Sequence, residues 1–171
     1  ILLMRHAEAA AEEPHQTDFQ RCLTADGIRI ASETGAALLT EGFRIDRVIA
    51  SAAERTRQTA DLVTTAMHST AARLDLEELY CAPAKRFEAT LCERTFDDET
   101  SVLVVGHNPG TASLICRWAD RSLSVSPATV AVFESAADTW QNVRQTRIYK
   151  PKLVCLLQDG KISWRRDEKH S

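Results

Sequence analysis

No stretch of about 18 consecutive apolar residues occurs in the 171-residue sequence, so no transmembrane helix is expected. Neither sign of charge dominates: 21 Lys and Arg stand against 24 Asp and Glu, a formal net charge of −3. That balance offers no whole-molecule case for binding nucleic acid or an anionic membrane. The start lacks the basic segment and long apolar core of a secretory leader, and no signal peptide is expected in the residues shown. Repeats, low-complexity tracts and interdomain linkers are absent, and a single domain over residues 1–171 is expected. The five cysteines (Cys22, Cys81, Cys92, Cys116 and Cys155) are odd in number and widely spaced, with no C-x-x-C. This argues against a disulfide framework or a zinc site and for a reducing cytoplasm. Cysteine-dependent phosphate chemistry needs an Arg six positions after the Cys. Those positions hold Ile28, Phe87, Asp98, Ser122 and Lys161, so the spacing excludes it. H-E-x-x-H and clustered carboxylate ligands are also missing, and neither a metal nor another cofactor is expected.

What is present is an alternation of apolar runs and amphipathic stretches. ILLM at the start reads as a buried strand. LTADGIRIASETGAALLTEG reads as a helix, with Thr24 as N-cap, Ile28, Ala31 and Leu38 at helical spacing and Gly42 as the stop. RVIAS (47–51) is a second strand, and ERTRQTADLVTTAM a second helix with Thr56, Ala60, Val63 and Met67 on one stripe. ARLDLEELY (72–80) reads as a short strand and turn, followed by a helix through Phe87 and Leu91. SVLVVGH (101–107) is the clearest buried strand, and GTASLICRWAD follows it as a helix. TVAVFES (129–135) and KLVCLLQDG (152–160) read as late strands, with Trp140 and Trp164 packing nearby. This alternation predicts an α/β layer fold with a largely parallel sheet, in which ligands sit beyond the carboxyl ends of the strands.

Three of the predicted strands end alike. ILLM runs into Arg5-His6, RVIAS into a helix start carrying Arg55, and SVLVVG into His107-Asn108. A lone Arg or His after a strand is ordinarily a solvated or structural residue. In a parallel sheet, however, these ends share one edge. Two guanidiniums, two imidazoles and a helix N-terminus would then surround one point, an arrangement that favours an anion and is costly without one. Arg forks hold phosphate oxygens in bidentate fashion, and an imidazole can attack phosphorus.

MRHAEA resembles the Arg-His-Gly signature of the histidine phosphatase superfamily, also called the phosphoglycerate mutase-like fold. SAAERTRQTA is similar to its second motif, S-x-x-x-R-x-x-Q-T-A, and VVGHNPG to its third, a strand ending in Gly-His. In DFQRCLTADG, Asp18, Arg21, Leu23, Thr24 and Gly27 match the D-x-x-R-x-L-T-x-x-G pattern of the SixA-type phosphohistidine phosphatases. The resemblance implies a three-layer α/β sandwich around a central, largely parallel sheet, without a large cap insertion. It implies that His6 takes the phosphoryl group and that Arg5, Arg55 and His107 bind its oxygens, with Arg21 and Asn108 as further phosphate contacts. It implies metal-independent removal of phosphate from phosphohistidine in a protein. The alternatives are a phosphomonoesterase acting on a small phosphorylated metabolite and a non-catalytic phosphate-binding module. A cytoplasmic monomer is expected.

The family's Gly after the first His is Ala7 here, which would be strained if the position needs a positive φ. The candidate general acids are Glu77 and Glu78, which read equally well as residues capping a turn. SixA-type enzymes resemble one another in lacking this acid. A phosphoramidate needs less help in leaving than an alkoxide does.

Overall fold

Alternation along the apolar strands decides the layers. In the computed structural model, which describes residues 1–135, 139–146 and 151–166, seven strands form one sheet. They are β1 (Leu2–Arg5), β2 (Arg47–Ser51), β3 (Ala72–Leu76), β4 (Val102–Gly106), β5 (Val130–Ser135), β6 (Pro151–Gln158) and β7 (Lys161–Arg165). Their spatial order is β3-β2-β4-β1-β5-β6-β7. β3, β2, β4 and β1 run parallel, whereas β5, β6 and β7 each lie antiparallel to the preceding strand.

Successive side chains on a strand point to opposite faces, so each apolar run feeds two cores. Leu2, Met4, Val48, Ala50, Leu103 and Val105 pack with Ala31 and Leu38 of α1 (Ala25–Thr40) and with Ala60 and Val63 of α2 (Glu54–Ala66). Leu3, Ile49, Val102 and Val104 face the other way. They meet Phe87 and Leu91 of α3 (Ala84–Arg94), Leu114 and Ile115 of α4 (Gly110–Ala119), and Trp140 and Val143 of α5 (Trp140–Thr146). The result is the expected three-layer sandwich, with no large inserted cap among the described residues. β4 is buried along its whole length, as a central strand covered on both faces must be.

The helix boundaries follow local chemistry. The Thr24 hydroxyl accepts from Gly27 N at 2.9 Å at the start of α1, and Gly42 lies just past the end with φ of 77°. β7 and α5 lie outside the elements read from sequence. KISWR is short and mostly polar, and its first three residues are exposed on an edge strand, so it carries little periodic signal. The helices of the described residues include none long and apolar enough to cross a membrane.

The register sets the site. Arg5 pairs with Gly106, and Ala50 with Val105, so the carboxyl ends of β1, β4 and β2 finish level. Arg5-His6, Ser51 and His107 therefore emerge along one edge of the sheet.

Candidate active site

His6 continues directly from β1. Its N–H donates to Gly106 O at 3.0 Å and its O accepts from Ala128 N at 3.1 Å, which ties the backbone to both neighbouring segments. The Nδ1 N–H donates to Ala7 O at 2.7 Å. That bond selects the tautomer whose lone pair sits on Nε2. Nε2 makes no hydrogen bond among the described residues. The His107 ring lies 5.1 Å from the His6 ring, centroid to centroid. His107 is buried, with Nε2 against Ser51 Oγ at 2.9 Å and Nδ1 unpartnered.

The guanidiniums arrive from three directions. Arg5 donates to Val125 O at 2.9 Å, and its Nε is buried without a partner. No carboxylate pairs with it among the described residues. Asn108 donates to the same Val125 O at 3.0 Å, with its Oδ1 unpartnered. Arg55, in the first turn of α2 and 4% exposed, donates to the main-chain O of Asp18 and to Asp18 Oδ2, the latter at 2.9 Å. Arg21 donates to Asp18 Oδ1 at 2.8 Å and to Ala10 O at 2.6 Å. The structure thus brings His6, His107, Arg5, Arg55 and Arg21 to one place, with Asn108 beside Arg5.

Burial and the neighbouring guanidiniums decide the charge of the two imidazoles. Desolvation lowers the His6 pKa to about 4, with Arg55, Arg5 and Arg21 adding to the effect and the Ala7 carbonyl opposing it. Desolvation lowers His107 to about 3, helped by His6 and Arg55. Both imidazoles are therefore neutral near pH 7. Three guanidiniums face one carboxylate, which leaves two net positive charges, the complement of a phosphoryl dianion. Tyr80, Arg21 and Arg55 hydrogen bonds hold the Asp18 carboxyl far below the usual range, with Tyr80 the largest cause.

Several residues here were not singled out from sequence. Asp18 and Tyr80 join through a hydrogen bond from the Tyr80 hydroxyl to Asp18 Oδ2. The Tyr80 ring stands edge-on to His107 at 5.4 Å and to Phe19 at 5.1 Å. Asp18 was visible only as one position of the D-x-x-R pattern, and Tyr80 carried no signal. The second motif does more than supply Arg55. Ser51 meets His107, Thr59 Oγ1 accepts from Ala7 N at 3.0 Å, and Gln58 Oε1 accepts from Leu23 N at 2.8 Å. Ala7 is fully buried and lies outside the positive-φ residues, so the strain considered for it does not arise. Glu77 and Glu78 are exposed in the 3-10 turn after β3, and Glu78 pairs with Arg86. Groups of three or more His, Cys, Asp or Glu able to hold a metal ion are absent among the described residues.

The family model described as histidine phosphatase superfamily (branch 1) matches residues 1–81. An uncharacterised protein of Mycobacterium tuberculosis strain H37Rv, Rv1276c, is 37% identical over 129 residues, which covers 75% of this chain and 76% of that one. A structure assigned as the phosphohistidine phosphatase SixA of Nakamurella multipartitia superposes with a TM-score of 0.76 at 27% identity, covering 92% of this chain and 94% of that one. The protein histidine phosphatase SixA complexed with tungstate shares the fold, with a TM-score of 0.77 at 21% identity, covering 92% of this chain and 96% of that one.

Proposed function

We propose that this chain, which belongs to the histidine phosphatase superfamily and is a phosphatase of SixA type, removes the phosphoryl group from phosphohistidine in a protein, working through His6 without a metal ion. The observation that carries the reading is the state of His6. Its Nδ1 is tied to Ala7 O, its ring is neutral near pH 7, and guanidiniums flank it. A neutral imidazole with a free Nε2 lone pair is the form able to attack phosphorus.

In the first step, Nε2 of His6 bonds to phosphorus and the P–N bond to the substrate imidazole breaks. The leaving imidazole takes a proton from solvent. In the second, a water oxygen bonds to phosphorus and the P–N electrons return to Nε2. The water releases its proton, and inorganic phosphate departs. Arg5, Arg55 and His107, with Arg21 and Asn108 at the edge, bind the oxygens on which charge gathers. His107 Nδ1 and Arg5 Nε, both buried without partners, are donors suited to that task.

The leaving group supports this substrate class. An alkyl phosphate needs a placed acid, and Glu77 and Glu78 are exposed, with Glu78 engaged by Arg86. A small-metabolite monoesterase is therefore the second reading. The test uses a protein labelled on phosphohistidine, with rapid trapping under conditions that spare acid-labile phosphate. Label should appear on the peptide containing His6, and His6→Ala should abolish turnover. Phosphohistidine should be hydrolysed faster than sugar phosphates, with little effect of Glu77→Gln or Glu78→Gln. Label on His107 would overturn the nucleophile. A tenfold preference for a sugar phosphate, lost in one Gln variant, would establish the monoesterase instead. Binding without turnover would mark a non-catalytic module.

A further inference from the structure

A carboxylate beside an anion site weakens that site's attraction for its ligand, yet Asp18 sits among the guanidiniums. Its contacts explain what it does there. The main-chain O takes one terminal nitrogen of Arg55, and Oδ2 takes the other at 2.9 Å. A guanidinium held at both terminal nitrogens cannot rotate about its long axis, and it keeps N–H donors for another ligand. Oδ1 takes Arg21 at 2.8 Å, so the same carboxylate also sets the second fork. Asp18 is in turn held by the Tyr80 hydroxyl. Tyr80 is braced by Phe19 at 5.1 Å and His107 at 5.4 Å, and the Arg55 guanidinium lies 5.7 Å from its ring centroid. The hydrogen bonds join positions 18, 21, 55 and 80, from three separate segments.

We infer that Asp18, fixed by Tyr80, is a positioning residue that orients the guanidiniums of Arg55 and Arg21 to receive phosphoryl oxygens. This rests on the reading of the edge as a phosphoryl site. The aromatic brace replaces flexibility in a long Arg side chain with a single geometry before the anion arrives. Tyr80 is accordingly the residue by which the segment after β3 serves the site.

A charge-only role and a positioning role make opposite statements. If Asp18 merely offsets positive charge, Asp18→Asn should tighten binding of inorganic phosphate, and Asp18→Glu should be neutral. If it positions Arg55 and Arg21, both variants should weaken phosphate binding, by about tenfold for Asn, and lower kcat/KM by one to two orders of magnitude. Tyr80→Phe keeps the ring and the charge and removes one hydrogen bond. It should lower phosphate affinity by roughly two- to tenfold. Phosphate affinity is read by calorimetry on the full chain, with thermal unfolding as the check on folding and kcat and KM measured separately on a phosphohistidine substrate. Unchanged or tighter phosphate binding in Asp18→Asn overturns the inference. If that variant does not fold, wild-type affinity in both Asp18→Glu and Tyr80→Phe overturns it. A chain that binds phosphate but does not hydrolyse phosphohistidine would remove the substrate reading alone. A wild-type chain that does not bind phosphate would remove both.

Discussion

Arg55 shows what a single residue contributes beyond its charge. It is 4% exposed, and the N-terminal turn of α2 fixes where its side chain begins. Lys at this position would keep the charge and lose the planar fork. Arg55→Ala should lower kcat/KM on the order of 10² or more, by comparison with loss of one oxyanion donor, and Arg55→Lys should recover only a small part. Near-normal kinetics in Arg55→Ala would make Arg55 part of a helix start and no more, and near-normal kinetics in Arg55→Lys would mean that charge suffices without the fork. His6 supports a second expectation. With its pKa lowered to about 4 by burial and the neighbouring guanidiniums, the imidazole proposed as the nucleophile stays neutral through the mildly acidic range. The acid limb of kcat/KM should therefore lie near pH 4, well below the 6.5 of an ordinary histidine. The Arg-His pair was legible in the sequence because it ends an apolar strand. That Arg5 and Arg55 disfavour a protonated ring was legible too, whereas the burial that is the larger cause was not, because it comes from residues distant in the chain.

At the scale of elements, the start of α1 is built against the loop that follows His6. Thr24 N donates to Glu8 O at 3.0 Å, and the Thr24 hydroxyl donates to Glu8 Oε2 at 2.8 Å. A Cβ on Gly27 would lie 2.2 Å from Glu8 O, so only glycine permits this approach. Gly27→Ala must displace the backbone two residues beyond His6. It should cost about 1–3 kcal/mol in stability and lower activity per folded molecule as well. Gly35 is the control. A Cβ there would lie 2.6 Å from Val63 O, at the contact between α1 and α2. Gly35→Ala should lower the unfolding temperature and leave kcat per folded molecule close to wild type. Equal specific activity in the two variants would mean that the α1 contact does not hold the site. Gly27 and Thr24 were readable as a helix start. Their packing on Glu8 was not, because it joins segments that touch only after folding.

For the whole molecule, two neutral histidines facing each other make stability depend on pH. In the unfolded chain both take up protons as pH falls through about 6.5. In the fold His6 waits until about pH 4 and His107 until about pH 3. The unfolded state therefore binds more protons across this interval, and stability falls as pH falls. The contribution is fully present above pH 6.5 and is lost progressively toward pH 4, at up to about 1.4 kcal/mol per pH unit for each proton. The rings lie 5.1 Å apart, so the two protons are not taken up independently. Urea unfolding between pH 7 and 5 should show this slope, and His6→Ala and His107→Ala should each reduce it. A slope unchanged in both variants would assign the effect to other groups.

The sequence by itself determined what local rules can carry. Thr24 and Gly42 bound a helix because capping acts within a few residues. Leu2 and Met4 face one core and Leu3 the other because strand side chains alternate. The three strand ends carrying Arg5-His6, Arg55 and His107-Asn108 were visible for the same reason, since each motif is contiguous. Only the tertiary structure decided which partners those ends receive. Asp18 meets Arg55 across 37 positions, Ser51 meets His107 across 56, and Tyr80 meets Asp18 across 62. Tyr80, rather than the adjacent Glu77 or Glu78, reaches Asp18, while Glu78 pairs with Arg86 at the surface. Side-chain direction in a short turn depends on what is packed beneath it, here the buried Leu79. The neutral state of both imidazoles follows from burial among these distant partners, a property that no contiguous stretch of residues contains.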